Sequence, residues 1–172
     1  LDPETSNLNL EVLSTHEQIL GDCGVTYLGC QFPANEDYRL KIQEYTRKVA
    51  ETLSAQGVVG PLSIDFLVAE DSGNTHIYAI EINIRQGGTT HPFQTAATLL
   101  GAYYDKDSGF LKTSDHEYRI YCSNDNLVLE GAKGRPVEEI LRRLKNTNLL
   151  YNKRQKTGFV FNILSALHDY GK

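Results

Sequence analysis

Apolar and polar residues alternate over residues 8–13, LNLEVL, which is the period of a half-exposed strand. From Ser14 to Asn35 the pattern lapses into an irregular stretch rich in Gly, Thr and Cys, with one short apolar piece, VTYLGC. A helical period takes over in residues 36–56, where Ile42, Tyr45, Val49 and Leu53 share one face and Lys and Arg fill the other. Asn35 is the expected N-cap, with acidic residues in the first turn, and Gly57 the expected stop. LSIDFLVAE (62–70) and HIYAIEINI (76–84) flank the turn-like DSGNT and form the clearest hairpin. A loop, RQGGTTHP, leads into a predicted helix over 92–100 with Pro92 at its first position. Residues 102–115 read as an exposed loop. EYRIYC (117–122) and LVLE (127–130) read as a strand pair around NDN, and GFVFNIL (158–164) as a last strand. Residues 136–146 predict a second helix, opened by Pro136 and acidic in its first turn. Strands and helices mix without a steady βα alternation, so the expected class is α+β, an antiparallel sheet with flanking helices.

The second hairpin strand carries the chemistry. Side chains alternate across a strand, so Ile80, Ile82 and Ile84 share one face, expected to be buried, while Glu81, Asn83 and Arg85 share the other. A turn centred near Gly73 sets Asp65 opposite Glu81, unless a bulge shifts the register. Two carboxylates and a carboxamide that close favour a bound cation, because the like charges repel. An all-oxygen donor set suits a hard ion, Mg²⁺ or Mn²⁺. Arg85 would then lie beside phosphate oxygens. The strand runs into Gly87, Gly88, Thr89, Thr90 and His91, a loop whose N–H groups and hydroxyls are of the kind that hold anions. A second reading stays open: Asp65 and Glu81 solvated on an open sheet face, with Arg85 as their salt-bridge partner. His16 and Gln18, in STHEQ, are weaker candidates for the same cleft.

Charge and composition narrow the partners. The 172 residues carry 17 Lys and Arg against 22 Asp and Glu, a net charge of −5, which argues against a nucleic-acid surface. No apolar run of about 18 residues predicts a membrane span, and no secretory signal is visible. Cys23, Cys30 and Cys122 match no zinc or redox spacing; free thiols, small and buried, in a cytoplasmic setting are expected. The chain has no methionine and begins at Leu1, so a fragment of a longer protein is expected.

A strand Asp followed by E-x-N-x-R and a glycine turn resembles the metal-binding end of ATP-grasp ligases. LSTHEQILG (13–21), YLGCQFPA (27–34), EINIRQGGTTHPF (81–93) and TGFVFNILSALHDYGK (157–172) are similar to the pheganomycin-type peptide ligase family. The resemblance implies an ATP-grasp C-terminal subdomain and a carboxylate–amine ligase acting through an acyl phosphate. Its cofactors would be ATP and Mg²⁺ (or Mn²⁺), its metal ligands Asp65, Glu81 and Asn83, and its catalytic phosphate contact Arg85. Thr89, Thr90 and His91 would line the phosphate or substrate side. The implied organisation is a metal and phosphate lobe over 1–115 with an extension over 116–172. The amino-terminal lobe, with the lysines that contact the phosphates, would be missing. The remainder of the parent chain is then an expected partner, beside nucleotide and a small carboxylate, amine or peptide, and the fragment alone is not expected to catalyse. Larger eukaryotic proteins, including an IQ-motif protein of sperm, are also similar here. The alternative is therefore a catalytically idle module that binds or scaffolds within such a protein, of the axoneme or of sperm.

Overall fold

In the computed structural model, residues 10–129 and 131–171 are described. The strands are β1 (Glu17–Gly21), β2 (Thr26–Phe32), β3 (Ser63–Asp71), β4 (Asn74–Asn83), β5 (Ala102–Asp105), β6 (Phe110–Thr113), β7 (Tyr118–Arg119) and β8 (Tyr121–Asn124). The helices are α1 (Arg39–Ala55), α2 (Thr90–Leu100), α3 (Val137–Lys145) and α4 (Leu164–Tyr170). They join as three small sheets, β1-β2-β8, β3-β4 and β5-β6-β7, with antiparallel pairing in the last two, so the class is α+β as expected. The chain divides into two compact units: residues 10–19 with 30–123, and residues 20–29 with the described part of 124–171.

The first unit is organised around Phe32, which is fully buried. Its ring stacks on Tyr121 at 5.1 Å and meets Phe93 of α2 at 5.9 Å and Tyr104 of β5 at 6.3 Å. Such rings bury large area and gain further from offset and edge-on geometry. Two strands therefore form where an irregular stretch was expected between Ser14 and Asn35. In β2, Cys30 and Phe32 point into the core with Gln31 exposed between them, an alternation too short to stand out among the glycines. The expected strand over 8–13 is absent at residues 10–13, which have no regular structure, and residues 8 and 9 lie outside the described residues.

Helix α1 starts three residues later than its period suggested. The Asn35 side chain accepts a bond from the Asp37 N–H at 2.9 Å, and the Asn35 carbonyl accepts from the Arg39 N–H at 2.9 Å. Asn35 thus builds the turn before the helix and is not its cap, and the acidic pair Glu36 and Asp37 precedes the first turn. Gly57 ends the run with φ +88°. Residues 102–115 are not a loop: β5 and β6 pair from Ala102 with Thr113 to Asp105 with Phe110, and Leu111 and Thr113 are buried. The polar cluster DKDSG is only the turn between them, closed by the Gly109 N–H on the Asp105 carbonyl at 2.8 Å. Helix α2 begins at Thr90, two residues before the predicted start, with Pro92 inside its first turn, where a missing N–H costs no helical bond.

The second unit holds a small core of Ala132, Ile140 and Leu167, flanked by Leu129, Leu144 and Leu164. Helix α3 runs as expected from Pro136, with Glu138 and Glu139 in its first turn and Arg142, Arg143 and Lys145 in its last, the order its dipole favours. Two expected strands do not form. Residues 127–129 are irregular, residue 130 lies outside the described residues, and β8 pairs instead with β2. The 158–164 strand is replaced by isolated bridges, Leu150 with Phe159 and Asn152 with Thr157, followed by α4. At Gly158 a Cβ would fall 2.7 Å from the Leu150 carbonyl oxygen, so only glycine permits that backbone approach. No disulfide joins the cysteines, and only Cys30 has the buried setting expected of all three.

Candidate functional site

The candidate residues gather on the β3–β4 hairpin and the loop after it. Asp71 pairs with Asn74 across a two-residue turn, Ser72 and Gly73, both with positive φ, as hairpin turns that match strand twist require. Continued without interruption, that register would set Asp65 against Ile80. A bulge between Asp65 and Phe66 intervenes: Phe66 pairs with Ala79, and Asp65 with Glu81. Ile80 is the extra residue. Beyond it the ladder is regular, with Ile64 opposite Ile82 and Ser63 opposite Asn83. Asp65, Glu81 and Asn83 therefore share one face, the arrangement the sequence suggested. Bulges re-aim side chains in this way at many functional sites.

The opposite face departs from expectation. Ile80, Ile82 and Ile84 are 63%, 45% and 57% exposed, where burial was expected. The bulge takes Ile80 out of the alternation, and no third strand joins this sheet among the described residues.

Asp65 is half-buried, and its pKa is raised from the ordinary aspartate value. Burial is the largest cause. Next comes Glu81, through its negative charge and through a hydrogen bond that needs a protonated carboxyl; Arg85 pulls weakly the other way. Among the described residues no Lys or Arg nitrogen forms an ion pair with Asp65 or Glu81. The Arg85 guanidinium instead donates to the Gln86 carbonyl at 3.0 Å. The salt-bridge reading thus loses its direct contact, and among the described residues the two carboxylates face each other with only the more distant Arg85 charge against them.

The loop is tightly turned. The Gly87 N–H donates to the Thr90 hydroxyl oxygen at 3.1 Å, and the Thr90 N–H donates to the Gly87 carbonyl at 3.1 Å. A Cβ on Gly87 would come within 3.1 Å of the Ser63 hydroxyl, so the loop lies close against the start of β3. Thr89 and Thr90 are half-buried there, while Arg85 and His91 are exposed.

A further residue reaches the pair. Gln18 of β1 donates from its amide to Asp65 Oδ1 at 3.2 Å. Only the STHEQ segment hinted at this, and a lone glutamine carries little signal. His16 takes a structural position: Nε2 lies 2.7 Å from the Tyr121 hydroxyl, the ring packs 5.4 Å from Phe32, and burial lowers its pKa to about 4.

The donor set fits a small hard cation. Two carboxylates and a carboxamide leave room for water and phosphate oxygens, which Mg²⁺ normally retains. Among the described residues no three His, Cys, Asp or Glu side chains converge, so any ion held here relies on Asn83 and non-protein oxygens for the rest of its shell. A cleft of about 190 Å³, lined in part by Leu10, Leu53, Ser54, Val59 and Leu62, contains none of the candidate residues. No helix among the described residues is long and apolar enough to cross a membrane.

Comparison with known proteins shows the family of the chain. A family model described as IQCH-like, ATP-grasp matches residues 5–105. The L-propargylglycine–L-glutamate ligase of Streptantibioticus cattleyicolor is 32% identical over 163 residues, which is 94% of this chain and 32% of that enzyme. The chain thus spans about a third of the length of that relative. No solved structure matches.

Proposed function

Because the chain belongs to the IQCH-like ATP-grasp family, we propose that it carries the cation and phosphate end of an ATP-dependent carboxylate–amine ligase site. The observation that carries the reading is the bulged pairing of Asp65 with Glu81, two carboxylates opposite each other with no ion pair to either among the described residues. Such a pair is costly unless a cation neutralises it. In this reading Asp65, Glu81 and Asn83 hold Mg²⁺ or Mn²⁺, and the roles of all three rest on position and donor chemistry. When bound, MgATP supplies the phosphoryl group that turns a carboxylate into an acyl phosphate, which an amine then displaces.

The chain's own residues position and neutralise. Arg85, in the bend just after β4, balances charge on phosphate oxygens in this reading. Thr90 accepts the Gly87 N–H and still has its O–H to donate, so it and Thr89 offer hydroxyls to an anion at the start of α2. His91, exposed beside them, lines the same side.

Isothermal titration of Mn²⁺, and of MgATP, into the full-length protein tests this. Metal-dependent nucleotide binding that disappears in Glu81→Ala and Asn83→Ala is the expected result. A wild type that binds neither overturns the ligase reading and leaves an ATP-grasp-like module reused for binding or scaffolding.

A further inference from the structure

Strand β1 is fastened at one residue and active at the next. Glu17 Oε1 accepts the Asn35 N–H at 2.8 Å and the Tyr38 hydroxyl at 2.6 Å, which pins the strand to the turn that opens α1. Alternation sends Gln18 to the other side, where its amide N–H occupies Asp65 Oδ1. A carboxylate has two oxygens, and either can bind a cation alone or both together. With Oδ1 engaged by an amide donor, the oxygen best placed to coordinate is Oδ2.

We propose that Gln18 is a positioning residue that sets cation selectivity: by holding Asp65 Oδ1 it makes Asp65 a one-oxygen ligand and favours a small octahedral ion over Ca²⁺. The inference rests on the cation role of Asp65 proposed above. Mg²⁺ and Mn²⁺ take oxygens singly in a near-octahedral shell, whereas Ca²⁺ accepts six to eight ligands and readily uses both oxygens of one carboxylate. Gln18 therefore does not need to touch the ion to discriminate. Its amide opposes the two-oxygen mode, because it competes with the ion for Asp65 Oδ1. Partners that orient a ligating carboxylate typically change metal affinity by about 10- to 100-fold when removed.

The same geometry separates this role from simple scaffolding. The Gln18–Asp65 bond is exposed, so losing it leaves the stability of the fold nearly unchanged. Losing a scaffolding residue would weaken both ions together. Losing a residue that restricts Asp65 to one oxygen costs the small ion its advantage over the large one.

The test is titration of Mn²⁺ and of Ca²⁺ into the full-length protein, as wild type, Gln18→Met and Gln18→Asn, with melting temperatures measured alongside. Methionine keeps length without a donor, and asparagine keeps the donor without the reach. The expected result is a wild type that prefers Mn²⁺. In both variants the Mn²⁺-to-Ca²⁺ affinity ratio should fall by about 10-fold at an unchanged melting temperature. Cation binding with an unchanged ratio in both variants overturns this inference and leaves the proposed site standing. A wild type that binds neither ion overturns both.

Discussion

Replacing Asp65 with asparagine should stabilise the metal-free protein and abolish its response to metal. Directly opposed residues on an antiparallel ladder have Cβ atoms about 4.5–5.5 Å apart. Two unit charges at about 5 Å repel by about 3 kcal/mol at an effective dielectric of about 20, and by about 1 kcal/mol in water. Asp65 is only half-buried and Arg85 offsets part of the field, so the lower figure applies. Asparagine keeps an oxygen for the Gln18 amide, so that bond survives the change. The net gain is about 1 kcal/mol, or about 2–4 °C in melting temperature for a chain of this size.

The sign with pH follows from the raised pKa of Asp65. Folded Asp65 holds its proton more tightly than unfolded Asp65, so wild-type stability is lost as pH rises through the folded value. The advantage of asparagine is therefore absent in acid and full at neutral pH. Metal reverses the order. At 100 times its dissociation constant, Mn²⁺ should stabilise the wild type by about 2.7 kcal/mol and leave Asp65→Asn unmoved. Calorimetry of both proteins with and without Mn²⁺ should show the melting curves exchange places. An Asp65→Asn variant less stable than wild type at neutral pH without metal would refute the reasoning, since it would make Asp65 a structural group.

Three other outcomes can be checked. Burial holds His16 at about 4 against 6.5 when exposed, so its neutral form contributes up to about 3 kcal/mol, present above pH 6.5 and lost as pH falls to about 4. Of the five histidine ring signals in an NMR titration, that of His16 should stay still above pH 5; a midpoint near 6.5 contradicts this. Leu111→Ala, at a fully buried site, should cost about 2–5 kcal/mol in urea unfolding, against about 0.5 kcal/mol or less for Ile163→Ala at 78% exposure. Deleting Ile80 should remove the bulge while leaving Asp65 opposite Glu81, so the Mn²⁺ response should persist; its loss would contradict the register described here.

The elements legible in the sequence were those whose pattern outlasted local noise. Helix α1, the β3–β4 hairpin and α3 each repeat a period long enough to read. The β5–β6 pair was hidden because each strand is four residues long and the turn between them is the most polar stretch nearby. Strands β1 and β2 were hidden by a different cause: their pairing is with each other and with β8, about a hundred residues away, and no local period encodes a partner that distant. A strand was expected over 158–164 because GFVFNIL is strand-like on propensity, and α4, which follows and shares only Leu164 with it, is a seven-residue helix too short to show a period.

The pairing at the site was readable for a reason that differs from the one its pattern offers. Alternation along YAIEINI groups Tyr78 and Ile80 with Ile82 and Ile84, and sets Glu81 apart from them. The two-residue turn would, by itself, run that alternation one step out and turn Glu81 away from Asp65. The bulge restores the step, so the register inferred from a turn centred on Gly73 and the register built by a tighter turn plus one extra residue coincide at Asp65 and Glu81 and differ everywhere nearer the turn. A bulge leaves the strand's own composition almost unchanged, so nothing in the local pattern announces it. Its consequence is visible only in what it brings together: Tyr78 now shares a face with Glu81, and a carboxylate that alternation alone would have stranded lies opposite its partner. Both neighbouring pairs, Phe66 with Ala79 and Ile64 with Ile82, stay apolar across the ladder, so the extra residue realigns the two carboxylates without setting a charge opposite an apolar side chain.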